Sequence, residues 1–373
     1  MGLLSIPSHL CKKICWIVLI AILIFAGVIG ALVGLKVIRV EGIYNCSATK
    51  PYASDGKYEF DPKSYKSLIV KLGGYSSQSS IRFERHNSSL IVIDKQFFVS
   101  TNFETSELKA NSEYKNDGYQ FTISDGNSNA NDPSCYKADV VIKIPNNLDF
   151  YDKLIMDVYR TNVNLDIRGK LDFNQFKIDT GFGDLKLANN NVKKVDLDVN
   201  HSDLEINDIK ADTFNAKVNF GESKIQKLTA DKITIGSQHG DVSIHNTKSD
   251  TILLDNSFGK IEILNGNFLK ADITNTHGNV NVEIDKLNND IKDLKYNIAG
   301  GFGECKVSFK STFNTKFDIG TWFGSIEIDS NNNPPYYTKK EEKSQSGILG
   351  NDNNSNNNIK IQNENGNVKL LFP

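Results

Sequence analysis

Much that would announce a familiar activity is missing from this chain. Its five cysteines include no Cys-x-x-Cys pair, which argues against a cysteine-built zinc site. Neither charge is in excess: 43 Lys and Arg stand against 45 Asp and Glu, a formal net charge of −2. No basic field is present to hold a phosphate backbone, so nucleic acid is not expected as a partner. Nucleophile elbows, phosphate-binding loops and metal-ligand motifs are all lacking. Acidic residues are spread along the chain instead of being gathered beside a base. Neither catalysis nor a cofactor is expected. Proline is scarce, 8 in 373 residues, so few backbone donors are lost to a β ladder. Asn and Asp are plentiful, as suits a chain that turns corners often.

What is present is a period. The triplets Phe182-Gly183-Asp184, His201-Ser202-Asp203, Phe220-Gly221-Glu222, His239-Gly240-Asp241, Phe258-Gly259-Lys260 and His277-Gly278-Asn279 recur at intervals of 19 residues. Apolar residues alternate on both sides of each triplet. One repeat reads Phe176, Ile178, Thr180, Phe182, Leu185, Leu187, and the next Val195, Leu197, Val199, His201, Leu204, Ile206. Period-two alternation about a tight bend marks two short strands. A unit of this length cannot bury its apolar face alone, so repetition predicts a stack. The fold class read here is all-β: a parallel β-solenoid of 19–21-residue repeats, preceded by one transmembrane helix. The pattern leaves open whether one coil holds one repeat or two.

Residues 14–35 are 22 in number and carry no charge, long enough to cross a hydrocarbon core of about 30 Å as a helix. The core of a cleaved signal peptide is shorter, so the reading is an uncleaved signal-anchor. Residues 1–13 are then a short cytoplasmic tail, 36–60 a linker, and the rest extracellular or lumenal. The sequons at Asn45, Asn87, Asn200 and Asn353 all follow the span and are the expected glycosylation sites. Cys11 and Cys15 flank two lysines at the membrane edge, where S-palmitoylation and two unmodified thiols are both open. In an oxidising compartment Cys46 and Cys135 could close a disulfide, the alternative being two free thiols. Between 61 and 144 the strands are irregular and are read as a cap on the solenoid.

Regular repeats are read over 145–329. They are approached through Asp139-Val140-Val141-Ile142-Lys143-Ile144-Pro145, then Leu154 to Val158 and Val163 to Ile167. This approach, with the repeated Gly-Asp units behind it, resembles the adhesin-like β-solenoid family, membrane-tethered or secreted domains without an assigned biochemical role. The resemblance covers roughly residues 65 to 330. It implies a solenoid fold and an adhesin-like role, and it brings no catalytic residues. Ser202, Lys260, Asn279 and Ser325 depart from the Gly-Asp unit.

After Gly278 the interval lengthens, with glycines at 303, 324 and 366. Residues 330–358 read as a disordered Asn-rich loop, since so polar a stretch buries little surface, and 359–373 as the last rung. Along the bend Phe182, His201, Phe220, His239, Phe258 and His277 alternate. Parity points them inward as packing. If one coil takes 19 residues, successive His lie about 10 Å apart, too far to share a metal with bonds of about 2 Å. A 38-residue coil would instead place them at a single strand spacing. Asp184, Asp203, Glu222 and Asp241 form an outward acidic row without the calcium-binding nonapeptide. It is read as a solvated ladder with repulsion of about 1 kcal/mol per pair.

The functional expectation is a non-enzymatic, single-pass membrane protein that displays an adhesin-like solenoid to an extracellular protein or glycan. A glycan-active β-helix enzyme and a purely structural stalk are the alternatives.

Overall fold

The computed structural model describes residues 50–52, 57–73, 79–99, 108–115, 118–125, 136–167, 171–285, 293–330, 334–350 and 355–373. Every regular element among them is a β-strand. No helix there is long and apolar enough to cross a membrane. The expected span at 14–35, its flanking Cys11 and Cys15, and also Asn45, Cys46, Cys135 and Asn353, lie outside the described residues.

The central repeats explain themselves locally. Strand Leu185–Asn200 lies parallel to Leu204–Asn219, with Leu185 opposite Leu204 and Val195 opposite Phe214. The next strand, Ser223–His239, keeps the same step, with Leu204 opposite Ser223. One coil therefore holds one 19-residue repeat, and the 38-residue alternative falls away. Within a coil the inward positions Leu185, Leu187, Asn190, Val192, Val195, Leu197 and Val199 are buried. Two features bend this ribbon around them. Asn189 has φ +57°, repeated by Asp208 (+55°), Lys227 (+54°), Asn246 (+52°) and Asn265 (+57°). Asn and Asp tolerate that left-handed conformation better than most residues, which accounts for three of these five choices besides Asp208. Lys193 and Lys194 are both exposed, breaking the alternation at a second corner. The stacked interior forms one continuous apolar core from Phe60 to Phe372.

The order of coils in space differs from their order in sequence at both ends. Strands Ser67–Leu72 and Ser79–His86 form the first coil. It lies between the coil of Gly118–Asp125 and Tyr136–Pro145 and the coil of Phe150–Tyr159 and Thr161–Asp166. At the other end Asn358–Asn365 and Val368–Phe372 are threaded between the coil of Lys295–Phe302 and Cys305–Phe309 and the coil of Thr315–Phe323 and Ile326–Ser330. The 359–373 segment is thus last in sequence but not last in the stack. Likewise, the 61–144 region supplies two parallel coils as well as caps. Its capping strands are Ile91–Val99, antiparallel to Tyr136–Pro145, and Leu108–Lys115, antiparallel to Gly118–Asp125.

The 330–358 stretch is not wholly an irregular loop. Tyr336–Lys340 and Ser344–Leu349 form an antiparallel hairpin whose second strand lies along Thr315–Phe323. Leu349 is buried, and Tyr337 meets Phe317 edge-on with ring centroids 6.0 Å apart. Average polarity misled here because a capping hairpin needs only one apolar side. Its backbone closes the Thr315–Phe323 edge of the last coil, and edges left open invite pairing with other chains.

Candidate functional site

The bend of each repeat is where the sequence pattern and the structure diverge most. Alternation carried through the bend points Phe182 and its equivalents inward. Instead Phe182 is 42% exposed, Phe220 48%, Phe258 45% and Phe302 49%. Backbone geometry accounts for the reversal. Phe182, His201 and Phe220 themselves adopt φ of +57°, +53° and +59°, and a left-handed residue interrupts the strand's two-sided alternation. From the fourth repeat the positive φ passes to the glycine. Gly240 has φ +138°, and a Cβ there would stand 2.0 Å from the Gly221 carbonyl oxygen. Both the conformation and the close approach of the coils require glycine at that position.

Turned outward, the rings meet one another. Phe182, His201, Phe220, His239, Phe258, His277 and Phe302 form one stack with centroids 4.6–5.0 Å apart and planes within 12° of parallel. Tyr159 closes its upstream end edge-on to Phe182 at 5.3 Å. Downstream, Phe302 is followed by Asn365 and then Phe323 in the same column. Each histidine has a phenylalanine on either side, so successive histidines stand two rungs apart, roughly 9–10 Å. Among the described residues no group of three or more His, Cys, Asp or Glu is placed to hold a metal ion.

The acidic row beside the rings has a structural task that spacing alone did not disclose. Asp203 Oδ1 accepts the Glu222 N–H at 2.8 Å, and Asp241 Oδ1 accepts the Lys260 N–H at 2.7 Å. The departure at Asn279, and Asn367 at the equivalent place, keep an acceptor in position, with Oδ1 taking the N–H of Glu304 at 2.9 Å and of Ser325 at 3.0 Å. Each of these four side chains caps a corner amide of the neighbouring coil, so Asp203 and Asp241 are more than members of a solvated ladder. Under the same corner runs a buried amide row. Asn256, Asn275 and Asn363 donate from Nδ2 to the carbonyls of Gly240, Gly259 and Gly303 at 3.4, 2.9 and 2.8 Å.

A second exposed surface lies on the strand face that precedes the corner. A shallow groove of about 550 Å³ is lined by Lys177, Asp179, Asp196, Asp198, Asn215 and Lys217. Burial, and then the neighbouring Asp198 and Asp157, raise the Asp179 carboxyl above its ordinary range. Of the expected glycosylation sites, Asn87 is exposed, its Oδ1 accepting from Asn146 Nδ2 at 2.7 Å. Asn200 lies in a strand with both amide atoms engaged, Nδ2 on Asp198 at 2.9 Å and Oδ1 under Asn219 at 2.7 Å.

The family model for Toastrack DUF4097 matches residues 79–215 and again 190–371. No curated protein matches the chain by sequence. Among solved structures, a candidate adhesin of Bacteroides fragilis is 12% identical, over 86% of this chain and 99% of its own, with a TM-score of 0.34. A candidate lipid-binding protein of Parabacteroides distasonis is also 12% identical, over 86% and 98%, at 0.39. A candidate cell adhesion protein of Clostridium sporogenes is 12% identical, over 87% and 100%, at 0.19. At such identities and scores no role passes from them to this chain.

Proposed function

The chain belongs to the Toastrack DUF4097 family, and from that premise we propose that it is a non-enzymatic, membrane-anchored surface protein whose solenoid binds an extended ligand along its aromatic corner. One observation carries the reading: the uninterrupted, outward ring stack from Phe182 to Phe302. Aromatic side chains offer large contact area at little conformational-entropy loss. Here each ring is also held between two others, so the surface is rigid before any ligand arrives, which reduces the ordering penalty of association. A contiguous apolar strip of this kind marks an interaction surface more often than a solvated one.

The geometry also restricts how a ligand sits. Inside the stack every ring face is covered by its neighbour, so contact is made with ring edges and with the polar residues alongside. An extended protein segment or glycan chain running parallel to the stack satisfies that restriction. The uncharged 14–35 segment supplies the proposed anchor, and the sequons that follow it favour an extracellular or lumenal solenoid.

The test is to present the full chain in detergent to protein and glycan arrays beside a Phe220→Ser/Phe258→Ser double variant. A ligand retained by the native chain and weakened by about tenfold or more in the variant, equivalent to about 1.4 kcal/mol, supports the reading. Unchanged circular dichroism must accompany that loss. Ligands that ignore the double substitution, or arrays that stay silent, would favour the stalk.

A further inference from the structure

The C-terminal end of the stack is closed on one face and open on the next. The hairpin covers Thr315–Phe323. Strand Ile326–Ser330, which completes the same coil, pairs with Val368–Phe372 along one edge and with no other strand among the described residues. Its inward residues show the consequence. Ile326 and Ile328 are only half-buried, whereas their counterparts Cys305, Val307, Val368 and Leu370 are at most 1% exposed. The Val368 N–H donates to the Ser325 carbonyl at 2.9 Å. Bonds in a parallel ladder use alternate residues on each side, so the N–H and C=O of Ile326 and Ile328 face the open edge. Trp322 and Phe323, on the corner just before this strand, are 78% and 69% exposed.

The outward residues of this edge define what fits. Glu327 and Asp329 are exposed and acidic. Some outward acids of the stack face lysines on the adjoining coil, and the acid at this edge is one of them. Lys186 meets Glu205 at 2.7 Å, and Lys369 meets Glu327 at 3.3 Å from the strand on the inner side. The missing outer neighbour should therefore carry base outward and apolar groups inward. A second copy fits poorly. Antiparallel self-pairing centred on Ile328 sets Glu327 against Asp329 of the other chain, and like charges directly opposite destabilise a strand pair. Head-to-tail stacking meets the antiparallel strands that cover the other end.

We propose that the Ile326–Ser330 edge accepts a β-strand from a protein partner whose residues alternate apolar and basic. Its apolar side chains extend the core over Ile326 and Ile328, its bases pair with Glu327 and Asp329, and its flank rests on Trp322 and Phe323. Main-chain bonds supply affinity and the alternating side chains supply selection, as in other strand-addition complexes. The site lies beyond the ring stack that ends at Phe302 and shares with its column only Phe323, and it stands or falls independently of the function proposed above.

Trp16 and Trp322 are the two tryptophans of the chain, so a Trp16→Phe background leaves an indole at the proposed site as reporter. The probe is a capped octapeptide of alternating valine and lysine, with a valine and glutamate octapeptide as its opposite. Titrated into the full chain in detergent, the lysine peptide should give a saturable blue shift of Trp322 emission and the glutamate peptide none. Glu327→Gln with Asp329→Lys should reverse that preference. Ile328→Pro removes an N–H that the inner strand does not use, and it should abolish binding with the melting temperature nearly unchanged. Should Ile328→Pro fail to fold, the charge variant at two exposed positions decides alone. The proposal is overturned by the absence of a saturable shift, or by a shift indifferent to the charge variant. A concentration-dependent dimer lost on Ile328→Pro would overturn it too, identifying a second copy as the occupant.

Discussion

Cys305 takes the inward position that Val280 holds in one adjoining coil and Val368 in the other. It is a free, buried thiol, and burial, followed by the neighbouring Glu304, pushes its pKa up to about 12. A thiol that packs as a small apolar group and rarely ionises should not react with maleimide in the native chain, and should react on unfolding. Cys305→Asp buries an unpaired charge and should cost more than about 3 kcal/mol. Glu304→Lys, one residue outward, should cost under about 0.5 kcal/mol. The reverse order of the two variants in a denaturant titration would place the whole register one residue out. Asp179 is the complementary case, a carboxyl whose pKa the fold raises by burial and by Asp198 and Asp157. A raised acid pKa means that the charged form is disfavoured on folding, so the penalty applies above that pKa and fades as pH falls through it. Asp179→Asn should therefore raise the melting temperature at neutral pH. The gain should vanish near pH 3, about a unit below the ordinary carboxylate value. A gain that persists in acid would assign the effect to something other than charge.

Among elements, the hairpin of Tyr336–Lys340 and Ser344–Leu349 separates two readings of one segment. Composition predicts that excising it is harmless, whereas the structure makes it the cover of the Thr315–Phe323 edge. Replacing 334–350 by a short Gly-Ser linker removes buried Leu349, worth about 1.5–3 kcal/mol by itself. It also uncovers an edge prone to pair with other chains. We expect a lower melting temperature together with concentration-dependent light scattering, and a variant indistinguishable from the native chain would return the segment to the status of a loop. The strands themselves were legible because apolar alternation and a 19-residue interval each constrain the register, and Leu185, Leu204 and Ile206 all fall inward as read. The corner was not legible in the same way. One left-handed residue at Phe182 reverses the side on which the ring emerges, and nothing in the aromatic-Gly pattern says whether the ring or the glycine takes the positive φ. Even so, the strict Phe and His recurrence marked the corner as the place to look. The buried amides Asn256, Asn275 and Asn363 were harder still, because an abundant residue type hides the few copies that bond corner carbonyls.

On the scale of the whole molecule, the period reports how far apart coils are in sequence but not which coil lies between which. Gly324 and Gly366 stand 42 residues apart, which reads equally well as a loop within a continuous stack or as a coil threaded backwards. The structure chooses the second. Asn358–Asn365 is bonded on both edges, to Lys295–Phe302 and to Thr315–Phe323, and Val368–Phe372 lies likewise between Cys305–Phe309 and Ile326–Ser330. Chain termini ordinarily fray because they have one neighbour or none. This one has two, and Ile359, Ile361, Val368 and Leu370 are fully buried. Hydrogen exchange should therefore find the amides of 359–371 protected as strongly as those of the central coil at 252–263. Truncation after Gly350 should be far more damaging than loss of a terminal rung. It removes these four side chains, worth about 6–12 kcal/mol together and comparable with the net stability of a whole domain, takes buried Phe372 with them, and leaves two apolar coil faces without a partner between them. Loss of protection should then spread to Lys295–Phe309 and Thr315–Ser330 on either side of the gap. Rapid exchange at Ile359 and Ile361 in the native chain would mean that the C-terminal coil is an outer rung after all, and the threaded order would have to be abandoned.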